Sequence, residues 1–136
     1  MTSRLNPYLS FSNDARQALE FYREVFGGEL VLSTFGEAGG AEGPDADKVM
    51  HGQLETPAGY TLMASDTPAG MERSDGSSIS ISLSGDDDEL RGYFTALADG
   101  GAVAMPLEKQ SWGDEFGMCI DRFGVSWLVN VSPPAA

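Results

Sequence analysis

Two stretches of this chain repeat one another in order and at a constant offset, and nothing else in the sequence narrows the fold so far. With YLSFSNDARQALEFYREVFGGEL set beside SISLSGDDDELRGYFTALADGGAV, Leu9 falls on Ile81, Phe11 on Leu83, Ser12 on Ser84 and Asp14 on Asp86. Further along, Phe21 falls on Tyr93, Tyr22 on Phe94, Val25 on Leu97 and Gly28 on Gly100. A period of this length marks a duplicated supersecondary unit rather than a short structural repeat.

Each copy reads as the same string of elements. A short alternating strand opens it, at residues 8–12 and 78–84. Polar N-cap candidates follow: Ser12, Asn13 or Asp14 in the first copy and residues 85–87 in the second. Next comes an amphipathic helix, with Ala18, Phe21, Tyr22, Val25 and Phe26 as one apolar stripe and Leu90, Phe94 and Leu97 as the other. The pairs Gly27-Gly28 and Gly100-Gly101 stop these helices, because glycine reaches positive φ without a steric cost. Strands are then predicted at 29–35, 48–56 and 60–64, and at 102–107, 116–121 and 125–131. The Gly-, Ala- and acid-rich stretch 36–47 reads as a mobile loop, and 68–76 as the linker between a module at about 4–67 and one at about 77–132.

Alternation separates each strand into two faces of different character. Leu9 and Phe11 oppose Asn6, Tyr8 and Ser10; Met50 and Leu54 oppose His51, Gln53 and Glu55. Ile79, Ile81 and Leu83 oppose Ser78, Ser80 and Ser82, while Val125, Trp127 and Val129 oppose Ser126, Leu128 and Asn130. The helices can cover the apolar faces, which leaves polar faces from both copies to line a cup if the sheet curls, or to face solvent if it does not. His51 is the only histidine. It and Glu55 share a face at roughly 13 Å, too far apart for both to hold one ion without a bend; beside Gln53 and Glu55 the histidine suits an acid–base group or a polar pocket wall, and equally a hydrogen-bonded surface residue. Asp66 ends a strand and reads first as a turn former, with an acid–base role as the alternative. Trp112 stands in a loop, where a lid or a subunit contact would explain it; Trp127 reads as core, and Cys119, in mid-strand, as an inert thiol.

Charge and length limit the function classes. The chain has 136 residues, a net charge of -13 and one cysteine. That charge repels phosphate backbones, so nucleic acid is not expected as a partner, whereas a cationic ligand is compatible with it. One cysteine allows no intramolecular disulfide. No run approaches the roughly 18 to 20 apolar residues of a membrane span, so no membrane is expected as a partner, and the expected location is cytoplasmic.

The blocks NPYLSF…ALEFYREVFGGEL, VMHGQLE…YTLMASD and WGDEFGMCIDRFGVSWLVN, in this order, resemble the glyoxalase/bleomycin-resistance (vicinal oxygen chelate) superfamily, in its PhnB-like branch. The resemblance implies an α+β fold: two βαβββ modules forming a cup-shaped mixed β-sheet with the helices outside, in a homodimer. Metal-dependent members carry His or Glu on the first and last strands of each module. The matching places here hold Tyr8 or Asn6, Leu62 or Ala64, Ser78 or Ser80, and Leu128, a set unsuited to zinc, nickel or iron; no metal and no other cofactor is expected. PhnB-like sequences are often labelled demethylubiquinone methyltransferases, but no glycine-rich strand-to-helix turn for a nucleotide-like donor is present. The leading expectation is therefore a metal-independent small-molecule binding protein, sequestering or accessory, contacting its ligand through Tyr8, His51, Gln53, Ser78, Ser80 and Trp112. The alternatives are an enzyme (lyase, isomerase or dioxygenase) with a non-standard metal or acid–base site around His51 and Asp66 or Glu55, and a pure interaction unit.

Overall fold

The computed structural model describes residues 5–40, 43, 45–67 and 79–133. They divide into two compact units, with the boundary between residues 75 and 76. The predicted linker 68–76 and Ser78 lie outside the described residues.

In the first unit the order is β1 (Tyr8–Phe11), α1 (Ala15–Phe26), β2 (Glu29–Thr34), α2 (Phe35–Gly39), β3 (Val49–Glu55) and β4 (Thr61–Asp66). The four strands form one sheet in the order β1-β4-β3-β2. The second unit repeats this with β5 (Ile81–Gly85), α3 (Glu89–Ala98), β6 (Ala102–Lys109), β7 (Glu115–Ile120) and β8 (Ser126–Val131), in the order β5-β8-β7-β6. In both sheets the pair formed by the unit's first and last strands is parallel and the other two are antiparallel. The duplicated βαβββ reading thus holds at the level of strand pairing. One element was not foreseen: part of the predicted 36–47 loop is the short helix α2, begun by Thr34, whose hydroxyl accepts from the Glu37 N–H at 3.1 Å.

The helices cover one face of each sheet. In the first unit Ala15, Ala18, Leu19, Phe21, Tyr22 and Phe26 are buried against Phe11, Leu54, Leu62 and Ala64. Leu19 was absent from the predicted stripe, and the predicted Val25 is only half-buried. The two cores share their volume differently. Gly52 and Ala64 are opposed in the first sheet, and a Cβ on Gly52 would come within 2.4 Å of Leu19 Cδ1. The register-equivalent pair in the second sheet is Cys119 and Trp127, both buried, where the helix carries Arg91 at the repeat position of Leu19. Small sheet residues under a large helix residue in the first unit are thus exchanged for a large sheet residue, the fully buried Trp127, in the second.

The glycine pairs carry a steric demand. Gly27 and Gly100 take positive φ, 75° and 81°. Gly28 and Gly101 are the close approaches, since a Cβ would stand 2.0 Å from the Glu55 carbonyl oxygen and 2.1 Å from that of Ile120. By role, then, Gly27 matches Gly100 and Gly28 matches Gly101. This is a slip of one residue from the sequence pairing of Gly28 with Gly100, taken up where α3 ends.

Buried carboxylates fix the frame. Asp66, almost wholly buried at the end of β4, accepts the Ala15 N–H at the start of α1 and the Val49 N–H at the start of β3, each at 2.9 Å. The residue that read as a turn former is therefore a long-range cap, and Asp14, the N-cap by position, makes no side-chain cap bond. In the second unit Asp121 accepts from the Phe123 and Val125 N–H groups and from Trp127 Nε1–H at 2.8 Å.

Removing a buried acceptor costs about 1–3 kcal/mol for each donor it leaves unpaired. Asp66→Ala is therefore expected to destabilise the chain by roughly 2–5 kcal/mol, with the urea midpoint falling at unchanged slope. Asp66→Asn, which keeps one acceptor, is expected to lose less. Two variants within about 0.5 kcal/mol of the parent would mark Asp66 as dispensable.

Candidate functional site

Because Leu62, Ala64 and Asp66 point toward α1, the alternation of β4 turns Thr61, Met63 and Ser65 to the opposite face. Register then carries that face across the sheet. Tyr8 lies beside Met63, Met63 beside Gln53, and Gln53 beside Val31; Thr61 lies beside Glu55 and Glu55 beside Glu29; His51 pairs with Ser33.

Five polar side chains on this face form one hydrogen-bonded ladder. The Tyr8 hydroxyl meets His51 Nδ1 at 3.1 Å, and the two rings are tilted with centroids 5.7 Å apart. His51 Nε2 meets Gln53 Oε1 at 3.4 Å, the longest link. Gln53 Nε2 donates to Glu55 Oε1 at 2.6 Å, and the Thr61 hydroxyl donates to Glu55 Oε2 at 2.7 Å. Beside the ladder lies a depression of about 270 Å³ lined by Glu29, Val31, Ser33, His51, Gln53 and Glu55. The gap between His51 and Glu55, too long for a shared ion, is spanned by Gln53.

Of the residues singled out from sequence, the structure brings Tyr8, His51 and Gln53 together. Asp66 is on the opposite face, with both carboxylate oxygens taken by backbone N–H groups. Ser80 and Trp112 belong to the second unit. There the Ser80 hydroxyl donates to Ser126 Oγ at 2.9 Å, and Trp112, 61% exposed, stands edge-on to Phe116 with centroids 6.2 Å apart. Glu29, Val31, Ser33 and Thr61 were missed. Their signal was the alternation in ELVLS and in TLMASD, which gains meaning only once strand register places it beside His51.

The side chains at the metal-bearing positions of the resembled superfamily can now be read from the fold. On β4 the residues on the ladder face are Thr61, Met63 and Ser65, which corrects the expected Leu62 or Ala64; both of those are buried under α1. On β8, Leu128 faces away from the buried Trp127 and Val129, as expected. Tyr8 and Met63 in one unit, and Ser80 with its neighbour Ser126 and the expected Leu128 in the other, do not fit a divalent transition metal. They offer no carboxylate or imidazole, and thioether and neutral hydroxyl bind such ions weakly. Among the described residues no three His, Cys, Asp or Glu side chains are grouped to hold an ion. Nor is any helix among them long and apolar enough to cross a membrane.

Comparison with known proteins agrees with this architecture. Residues 3–130 match the family described as 3-demethylubiquinone-9 3-methyltransferase. Protein PA1353 from Pseudomonas aeruginosa is 37% identical, with a TM-score of 0.80 over 98% of this chain and 100% of that one. The PhnB protein from Bacillus cereus is 26% identical, with a TM-score of 0.73 over 96% of this chain and 100% of that one. A glyoxylase/bleomycin resistance protein/dioxygenase domain from Frankia sp. EAN1pec shares the fold, at 12% identity and a TM-score of 0.62 over 97% and 98% of the two chains.

Cys119 has no part in the ladder. It is buried in β7, and burial first, then the nearby Asp121 charge, raises its thiol from the ordinary 9.0 to about 11. A thiol held protonated is a poor nucleophile. Native protein at pH 8 is expected to resist iodoacetamide and to react stoichiometrically in urea; fast native alkylation would contradict the burial. Since the folded value is the higher one, the protonated thiol's contribution to stability is complete below about pH 9 and lost as pH rises through about 11.

Proposed function

The chain belongs to the PhnB-like family of the vicinal oxygen chelate superfamily, and we propose that it binds a small organic molecule, without a metal ion, on the ladder face of its first unit. One observation carries this reading: the Tyr8–His51–Gln53–Glu55–Thr61 ladder, set beside an open depression. Each side chain is oriented by its neighbour before any ligand arrives, so little rotamer entropy remains to be lost on binding. The depression, at about 270 Å³, lies just under the usual range for small-molecule sites and suits a metabolite-sized ligand. Sequestration or an accessory role follows from binding alone.

The Tyr8–His51 contact favours one second reading, a metal-free acid–base catalyst. An imidazole held between a phenol and an amide oxygen can pass a proton to or from a bound substrate. Methyl transfer, the activity in the family's description, needs a donor site. The strand-to-helix turns hold Ser12-Asn13-Asp14 and Asp86-Asp87-Asp88, neither of them the glycine-rich cradle of a nucleotide-like donor. Homodimerisation and a cytoplasmic location belong to the same proposal. The net charge of -13 and the lone buried Cys119 support the absence of nucleic-acid partners and a reducing compartment.

A thermal-shift screen of metabolites and metal ions tests the proposal. A ligand at a hundredfold excess over its Kd is expected to stabilise the protein by roughly 2.7 kcal/mol, and His51→Ala to weaken it about tenfold or more through loss of oriented hydrogen bonds. Stoichiometric stabilisation by zinc, nickel or iron would overturn the metal-free claim. Ligand affinity unchanged in His51→Ala would overturn the assignment to this face.

A further inference from the structure

We infer that the ligand group seated against Tyr8 is a cationic hydrogen-bond donor, a protonated amine, because with His51 in its neutral form the ladder leaves the Tyr8 oxygen able only to accept. This rests on the ladder face being the binding site, and goes further by fixing the polarity of what binds there.

The polarity follows link by link from the far end. The Glu55 carboxylate can only accept, so Gln53 turns its amide nitrogen toward it, at 2.6 Å. The Gln53 oxygen then faces His51 Nε2, and an amide oxygen can only accept, so the imidazole carries its proton on Nε2. In the opposite tautomer the Nε2 lone pair would be set against the Gln53 oxygen. Neutral His51 therefore presents a bare Nδ1 to Tyr8, and the phenol spends its single proton on that nitrogen, at 3.1 Å. Every donor in the ladder points toward Glu55. The Tyr8 side chain is 49% exposed, and its remaining capacity is the oxygen lone pair. A ligand hydroxyl or amine can donate to it, whereas a carboxylate cannot.

The lining of the adjoining depression selects the charged donor. His51 forms one wall, Glu29 and Glu55 stand directly opposite each other across β2 and β3, and among the described residues that line it there is no lysine or arginine. The field of these two carboxylates makes the depression negative, which favours a cationic donor over a neutral one at the adjoining Tyr8. Val31, exposed between the two carboxylates and Ser33, offers an apolar contact for the alkyl part of an amine.

His51 is the only histidine, so long-range proton–nitrogen spectra of the full chain contain a single imidazole. Neutral His51 is expected to show the Nε2–H tautomer, and Gln53→Leu, which removes the selecting oxygen, to give a tautomer mixture. n-Butylammonium is expected to shift the His51 and Tyr8 resonances, with affinity about tenfold lower in Tyr8→Phe, while pentanoate leaves both unmoved. An Nδ1–H tautomer, or pentanoate binding at Tyr8 in place of butylammonium, overturns the polarity and leaves the binding face standing. If neither probe moves either residue, while another small molecule binds elsewhere, the binding face falls with it.

Discussion

The frame of the first unit hangs on the Asp66 carboxylate, which takes the opening N–H of α1 on one oxygen and that of β3 on the other. Three elements far apart in sequence are thereby held to one residue. The bond also decides a parity. With Asp66 turned toward the helix, Leu62 and Ala64 go with it and Thr61, Met63 and Ser65 go to the other side; a slip of one residue would invert every side chain. The ladder from Tyr8 to Thr61 exists because that parity is fixed. Asp121 does comparable work in the second unit by closing the β7–β8 turn and holding Trp127, through bonds that lie within one hairpin.

Much of this could be read along the chain. The repeat gave the element order, alternation gave the two faces, and the glycine pairs marked the helix ends, because each of these is a local pattern repeated with a fixed period. What escaped depends on partners remote in sequence. Asp66 has the local look of any strand-ending aspartate, and nothing near it tells of Ala15 or Val49. Leu19 escaped because the residue that receives it is Gly52, a hole rather than a signal. The polar set suffered in the same way: Tyr8, His51 and Gln53 were chosen for their faces, and their joining awaited the registers of β1 with β4 and β4 with β3. Ser80, chosen on the same grounds, and Trp112, chosen as an aromatic in a loop, have neighbours of their own in the second unit.

The duplicated scaffold has also diverged face by face. The first unit's open face carries imidazole, amide, carboxylate and phenol; the second's carries Phe116, Met118 and Leu128 beside its serines. The same strand order and directions therefore support two unlike surfaces, and the first holds the oriented polar groups. Family and fold leave that choice open, because chemistry resides in the side chains a sheet presents.

The central claim, that the ladder face is where this protein meets its ligand, is tested most directly by crystallographic fragment screening. The account predicts fragments seated against Tyr8, His51 and Val31, with the Tyr8–His51 contact kept in the bound state. Fragments that gather only on the Trp112–Phe116 surface or beneath α1, leaving the ladder face bare, would contradict it.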